Sequence, residues 1–176
     1  MSSRRCKPST ELWNDQNSGV FPSFRSALAR KKLGVVCCVD ERLGTSLRGN
    51  AACLREVFAA LASNAVKFTG EGGEIHIDVD FVDDSDDDVE VKASVRDTGI
   101  GIPDDAVGHL FRPFVQVDGS TERKYGGMGL GLATSKQIVE MMGGRIGFQR
   151  NTWKGSTFWF SLKLKKQGAT PHETRL

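Results

Sequence analysis

Residues 123–144, RKYGGMGLGLATSKQIVEMMGG, limit what this chain can fold into more than any other stretch. Gly126, Gly127, Gly129 and Gly131 fall within six residues, with Gly119 a little upstream. Leu132, Ser135, Val139 and Met142, with Ile138 beside them, then repeat at the spacing of one helix face. Gly143-Gly144 predicts the left-handed stop of that helix. A glycine-rich loop therefore feeds a helix N-terminus. Glycine lets the backbone approach a ligand closely. The first N–H groups of a helix have no internal partner and favour an anion. The combination is a candidate phosphate site; the plainer alternative is a flexible turn before an ordinary helix.

With 176 residues and a formal charge of +2, the chain suffices for one domain with one core. Its near balance of charge gives no argument for nucleic acid or for a membrane surface. No apolar run approaches the ~20 residues of a spanning helix. Residues 1–5 are polar and no hydrophobic segment follows, so no secretory leader is expected. Cys6, Cys37, Cys38 and Cys53 lack zinc spacing and are expected to be free thiols in a reducing compartment.

In chain order, residues 1–22 are polar and aperiodic and are expected to form a disordered lead or linker remnant. Residues 23–166 carry the domain, and 167–176 a flexible tail. A short helix is expected at 24–33, a strand at 35–39 and turns at 41–49. Leu54, Val57, Phe58, Leu61 and Ala65 form the apolar stripe of a helix over 54–68. A second stripe, Ala60, Asn64 and Lys67, can look into a pocket at the core's edge. Residues 74–82 and 89–96 alternate as half-buried strands. Between them, DDSDDD (83–88) reads as a solvated hairpin tip rather than a metal loop, because like charges repel and nothing neutralises them. Asp97-Thr98-Gly99-Ile100-Gly101-Ile102-Pro103 follows: a carboxylate at a strand end, then glycines two apart. Strands at 145–149 and 156–163 close the chain. This order favours an α/β two-layer sandwich, a mixed β-sheet covered on one face by helices. Neither a P-loop nor a GxGxxG after a buried strand is present.

Taken together, SNAVKFT (63–69), DTGIGIP (97–103), LFRPFVQVD (110–118) and GGMGLGL (126–132) resemble the N, G1, F and G2 boxes of a sensor histidine kinase. GSTFWFSL (155–162) is similar to the closing strand of that family's catalytic, ATP-binding domain. The likeness spans roughly residues 33–164, and its G2 wording looks most like hybrid-type kinases. The resemblance implies the Bergerat ATP-binding fold, with ATP and Mg²⁺ as cofactors. It implies Asn64 as the Mg²⁺ ligand, Lys67 at the phosphates, and Asp97 accepting from the adenine amino group. Gly99 and Gly101 would let backbone approach the base, with Phe68 and Ile102 packed near it. Gly127, Gly129 and Gly131 would shape the loop over the phosphates, anchored by Leu130 and Leu132. Phe111 and Phe114 would hinge or dock a lid over 115–128, Lys124 would be a lid contact to phosphate, and Thr157 would sit behind the base.

Three positions depart from the family pattern. Ala60 stands where the N box carries a second Asn or an acid; in related ATPases that acid activates water. Glu56 is about 12 Å from Asn64 along the helix, too far to substitute simply. Gln116 replaces a frequent lid Arg, and Met128 a small hydroxyl residue. His76, His109 and His172 all lack the context of the family's phosphoacceptor histidine. The resemblance therefore implies three partners outside the chain: ATP, a helical dimerisation domain carrying that histidine, and a downstream receiver domain. It implies no nucleic acid, a monomeric isolated domain and a cytoplasmic location, as a soluble protein or as part of a membrane-bound sensor. The alternatives are a degenerate nucleotide-binding regulatory module, which Ala60 favours, and a Ser/Thr-directed relative.

Overall fold

The computed structural model describes residues 4–8, 24–43, 47–114 and 129–166. Period-two alternation builds its sheet from β1 (Arg4–Pro8), β2 (Gly34–Asp40), β3 (Leu47–Arg48), β4 (Glu74–Asp84), β5 (Asp88–Asp97), β6 (Arg145–Arg150) and β7 (Ser156–Lys166). The strand order is β1-β2-β4-β5-β7-β3, and β6 also pairs with β7. Only β2 and β4 run parallel among these pairs, so the sheet is mixed. The helices are α1 (Arg25–Arg30), α2 (Ala51–Phe68), α3 (Asp104–Val107) and α4 (Gly131–Met141). They cover one face of the sheet, as the α/β sandwich reading requires.

Helix α2 is the core's main rod. Asn50 caps it by accepting from the N–H groups of Ala52 and Cys53, which starts the helix ahead of its apolar stripe. Val57, Leu61 and Ala65 are buried on the sheet, and Phe58 meets Phe160 edge-on at 5.1 Å. Opposite them, Val89, Val91, Ala93 and Val95 of β5 and Phe158, Phe160 and Leu162 of β7 point inward. Helix α4 buries Ala133, Ser135 and Val139 and packs against α2 and β6. No helix among the described residues is long and apolar enough to cross a membrane.

Several expectations change. Arg4–Pro8, assigned to a disordered lead, forms strand β1 on the edge of β2. Register puts Cys6 directly opposite Cys38, and the two form a disulfide rather than remaining thiols. Arg4 adds an ion pair of 2.8 Å to Asp80 on β4. Spacing along the sequence could not reveal this, because the two cysteines lie 32 residues apart and meet only through strand pairing. The acidic hairpin tip is also neutralised in part. Lys166 reaches Asp84 at 2.9 Å and Lys165 reaches Asp88 at 3.0 Å, since β7 ends beside the tip. Within the expected turns at 41–49, Leu47–Arg48 pairs with the end of β7.

Candidate functional site

The second stripe of α2 meets the start of α4 at Ala60. Ala60, Asn64 and Lys67 are half-buried. A methyl group placed on Gly131 would lie 3.7 Å from the Ala60 Cβ, so Ala60 borders the first turn of α4. Lys67 Nζ stands 4.9 Å from the centroid of the Phe68 ring. Gly129 has φ +66°, and Leu130 precedes α4 without a side-chain cap. The first N–H groups of α4 therefore have no partner within the helix, as an anion site requires. Gly131 is exposed there, while Leu132 packs against the core.

Asp97 ends β5 on the inner face, in register with Ile75 of β4. Alternation along Val89, Val91, Ala93 and Val95 carries the carboxylate inward, where it is 5 % exposed. Its Oδ1 accepts from the Gly99 N–H at 2.8 Å, and the Ser156 N–H also donates to the carboxylate. Burial pushes the carboxyl above the usual carboxylate range; those two N–H groups pull the other way.

The loop after Asp97 lies against the end of α2. Ile100 N–H donates to the Phe68 carbonyl at 3.3 Å. A Cβ at Gly99 would come within 2.5 Å of that carbonyl oxygen and 2.8 Å of Asp97 Oδ1, so only glycine fits between helix end and carboxylate. Gly101 has φ +77°. Ile102 packs on the core, and its carbonyl accepts from Arg150 at 3.1 Å; Arg150 also pairs with Asp104. Phe111 meets Phe158 edge-on at 6.4 Å, whereas Phe114 is 76 % exposed with φ +61°. The two box aromatics thus differ: one is anchored in the core, the other stands out at the edge of residues 115–128. Lys124 and Gly127, with Gln116 and Met128, lie outside the described residues.

Residues 49–166 match the family described as histidine kinase-, DNA gyrase B-, and HSP90-like ATPase. The chain belongs to this family. Among curated relatives, it is 43 % identical over 136 residues to the sensor histidine kinase AruS of Pseudomonas aeruginosa, covering 76 % of this chain and 14 % of AruS. It is 42 % identical over 150 residues to the hybrid signal transduction protein dokA of Dictyostelium discoideum, covering 82 % of this chain and 9 % of dokA. The chain thus spans a small part of the curated relatives it matches. Among solved structures, full-length ShkA in complex with AMPPNP aligns at 28 % identity with a TM-score of 0.68, over 84 % of this chain and 29 % of ShkA. The catalytic domain of histidine kinase ThkA, in a nucleotide-free form, shares the fold at TM-score 0.61 and 24 % identity, over 91 % of this chain and 95 % of that one. The described residues from α2 to β7 thus lie within the family match and share the fold of these solved histidine kinase structures.

Within that fold, residues beyond the sequence reading gather around Asp97. Thr157 was expected behind the base, but it pairs in register with Arg96 and lies on the face of β7 away from the helices. Its Oγ1 donates to Asn151 Oδ1 at 2.6 Å, and Asn151 Nδ2 donates to the Asp97 carbonyl at 2.9 Å. Ser156, 4 % exposed, is the residue on the inner face beside Asp97. Gly155, at φ +87°, presses its Cα onto the Asp97 backbone so closely that a Cβ would overlap the carbonyl oxygen. The alternation Ser156, Phe158, Phe160, Leu162 carried the signal for Ser156. No sequence pattern pointed to Asn151.

Proposed function

We propose that this chain is the ATP-binding catalytic domain of a two-component sensor histidine kinase. It holds MgATP so that the γ-phosphoryl group passes to a histidine on a helical dimerisation domain outside this chain. The observation that carries the reading is Asp97. A buried carboxylate at a strand end, with glycine pressed between it and a helix terminus, leaves an acceptor matched to an adenine amino group. A base without that donor would leave the carboxylate's remaining acceptor capacity, beyond the Gly99 and Ser156 N–H groups, unmet, at a cost of about 1–3 kcal/mol.

The remaining residues fit the same ligand. Gly99, Gly101 and Ile102 form the loop beside the base, with Phe68 at the end of α2. Gly129, Leu130, Gly131 and Leu132 open α4 toward the phosphates, with Lys67 supplying positive charge; Lys124 and Gly127, outside the described residues, keep the phosphate roles that the resemblance implies. Among the described residues no group of three His, Cys, Asp or Glu could hold a metal ion. The half-buried amide of Asn64 is a neutral oxygen donor that would hold Mg²⁺ together with the phosphates. Mg²⁺ would offset phosphate charge. The chain's own residues position the triphosphate, which is most of what phosphoryl transfer demands. In the transfer, the bond from the γ-phosphorus to the bridging oxygen breaks, a bond to the imidazole nitrogen forms, and ADP leaves.

The domain acts as a monomer on a phosphoacceptor histidine supplied by the same longer protein, and the phosphoryl group then moves to a receiver domain. The test is incubation with γ-labelled ATP, with and without a separately produced dimerisation domain of the same protein. Label on that domain's histidine, and none on the isolated chain, is expected. Stable label on the chain alone contradicts the proposal. One observation favours a second reading, a regulatory nucleotide-binding module without transfer. Ala60 borders the first turn of α4 with a methyl group, where it can neither order a metal-bound water nor accept a proton.

A further inference from the structure

The carbonyls at the C-terminal end of α2 each find a partner. Ala65 accepts from the Thr69 N–H and hydroxyl, and Phe68 accepts from Ile100 N–H. Three others, those of Val66, Lys67 and Thr69, accept from one donor, the Lys31 ammonium, at 2.7, 3.0 and 2.9 Å. A helix C-terminus carries partial negative charge, so a cation with three directed N–H groups satisfies it fully. The Lys31 backbone is fixed as well. Its N–H donates to Ala27, and its carbonyl accepts from Gly72 at 2.9 Å. Lys31 is therefore held from α1 and from the turn after α2 while it grips the helix end. Burial, with Arg30 nearby, lowers its pKa from the ordinary lysine value, in keeping with an ammonium taken partly out of water to serve the carbonyls.

The helix end that Lys31 grips carries Lys67 and Phe68. The Phe68 carbonyl is the contact that seats Gly99 and Ile100 beside Asp97. We infer that Lys31 is a positioning residue of the nucleotide site: it fixes the last turn of α2 so that the Asp97–Ile100 loop keeps its distance from the base and Lys67 keeps its direction. It does not touch nucleotide itself. This rests on the nucleotide reading above.

Two measurements on the whole chain test it: calorimetric titration with a non-hydrolysable ATP analogue, and amide exchange at Ile100 without nucleotide. Lys31→Met is expected to weaken the analogue about tenfold and to speed Ile100 exchange, at a temperature where the variant is fully folded. Lys31→Arg keeps the charge and the donors and is expected to recover most of both. Lys166→Met removes ammonium contacts to Asp84 and Ser85 at the far hairpin and is expected to lower the melting temperature without weakening the analogue. Unchanged affinity in folded Lys31→Met, or an equal loss in Lys166→Met, overturns the inference. If the unaltered chain binds no analogue, the nucleotide reading fails on its own. Ile100 exchange then decides whether Lys31 sets the loop, and unchanged exchange overturns that. Should Lys31→Met not fold, Lys31→Gln takes its place with the same readouts.

Discussion

Asn151 donates its side-chain amide to the backbone carbonyl of Asp97 across 54 residues of sequence, at 2.9 Å. The same side chain accepts from Thr157. The turn between β6 and β7 is thereby bolted to the strand end that presents the buried carboxylate. Asn151→Ala is expected to cost about 1–3 kcal/mol, because it removes the bonds to Asp97, Thr157 and the Lys154 carbonyl. Thr157→Val, which removes only the outer bond, is expected to cost about 1 kcal/mol. Urea unfolding of the two variants measures both, and the analogue should bind Asn151→Ala more weakly than Thr157→Val. Equal and negligible losses would show that the bolt is idle.

Asp97 gives a pH dependence of definite sign. Its carboxyl is raised above the ordinary value by burial, so the folded chain holds this proton to a higher pH than the unfolded chain does. Stability contributed at this position therefore falls as pH rises from about 4 through the raised value and is level beyond it. Asp97→Asn lacks the titration. The stability of the unaltered chain relative to Asp97→Asn should decline as pH rises above about 4 through the raised value. At neutral pH the variant should bind the ATP analogue about 100-fold more weakly, since an acceptor is replaced by a partial donor. A stability difference that is flat with pH would refute the burial account.

Gly155 and Gly108 make a contrast. Gly155→Ala meets the Asp97 carbonyl and a left-handed φ together, and a loss of about 2–4 kcal/mol is expected. A Cβ at Gly108 meets nothing within 4 Å, so Gly108→Ala should be close to neutral. Chemical denaturation of both variants checks the pair.

Much of this was legible in the sequence. The mixed sheet under one layer of helices followed from two amphipathic helices and alternating strands, since periodicity reports which side of an element is buried. Asp97 could be picked out because the alternation of β5 carries it inward and glycines follow at once. What periodicity does not encode is which distant segments meet. Cys6 and Cys38, the lysines of β7 at the acidic tip, and Asn151 beneath Asp97 all depend on strand pairing. The family likeness points to Thr157, whereas counting alternate residues back from Phe158 turns Ser156 inward.

The Cys6–Cys38 bridge joins β1 to an edge that would otherwise be open. Closing a loop of this length is worth about 3–4 kcal/mol in the chain-entropy account. Cys6→Ser, or reduction, should lower the melting temperature and raise amide exchange in Arg4–Pro8 first. The analogue's affinity should be unaffected, because none of the residues assigned to the nucleotide lies on β1. Loss of nucleotide binding on reduction would contradict this separation.

The most direct measurement is a calorimetric titration with a non-hydrolysable ATP analogue, once with Mg²⁺ and once with chelator, on the unaltered chain and on Asn64→Ala. The account predicts binding that tightens with Mg²⁺ in the unaltered chain, and an Asn64→Ala variant that binds with little response to the metal. Binding indifferent to Mg²⁺ would leave an adenine pocket around Asp97 without a metal site and favour the regulatory reading. No binding at all would contradict the central claim.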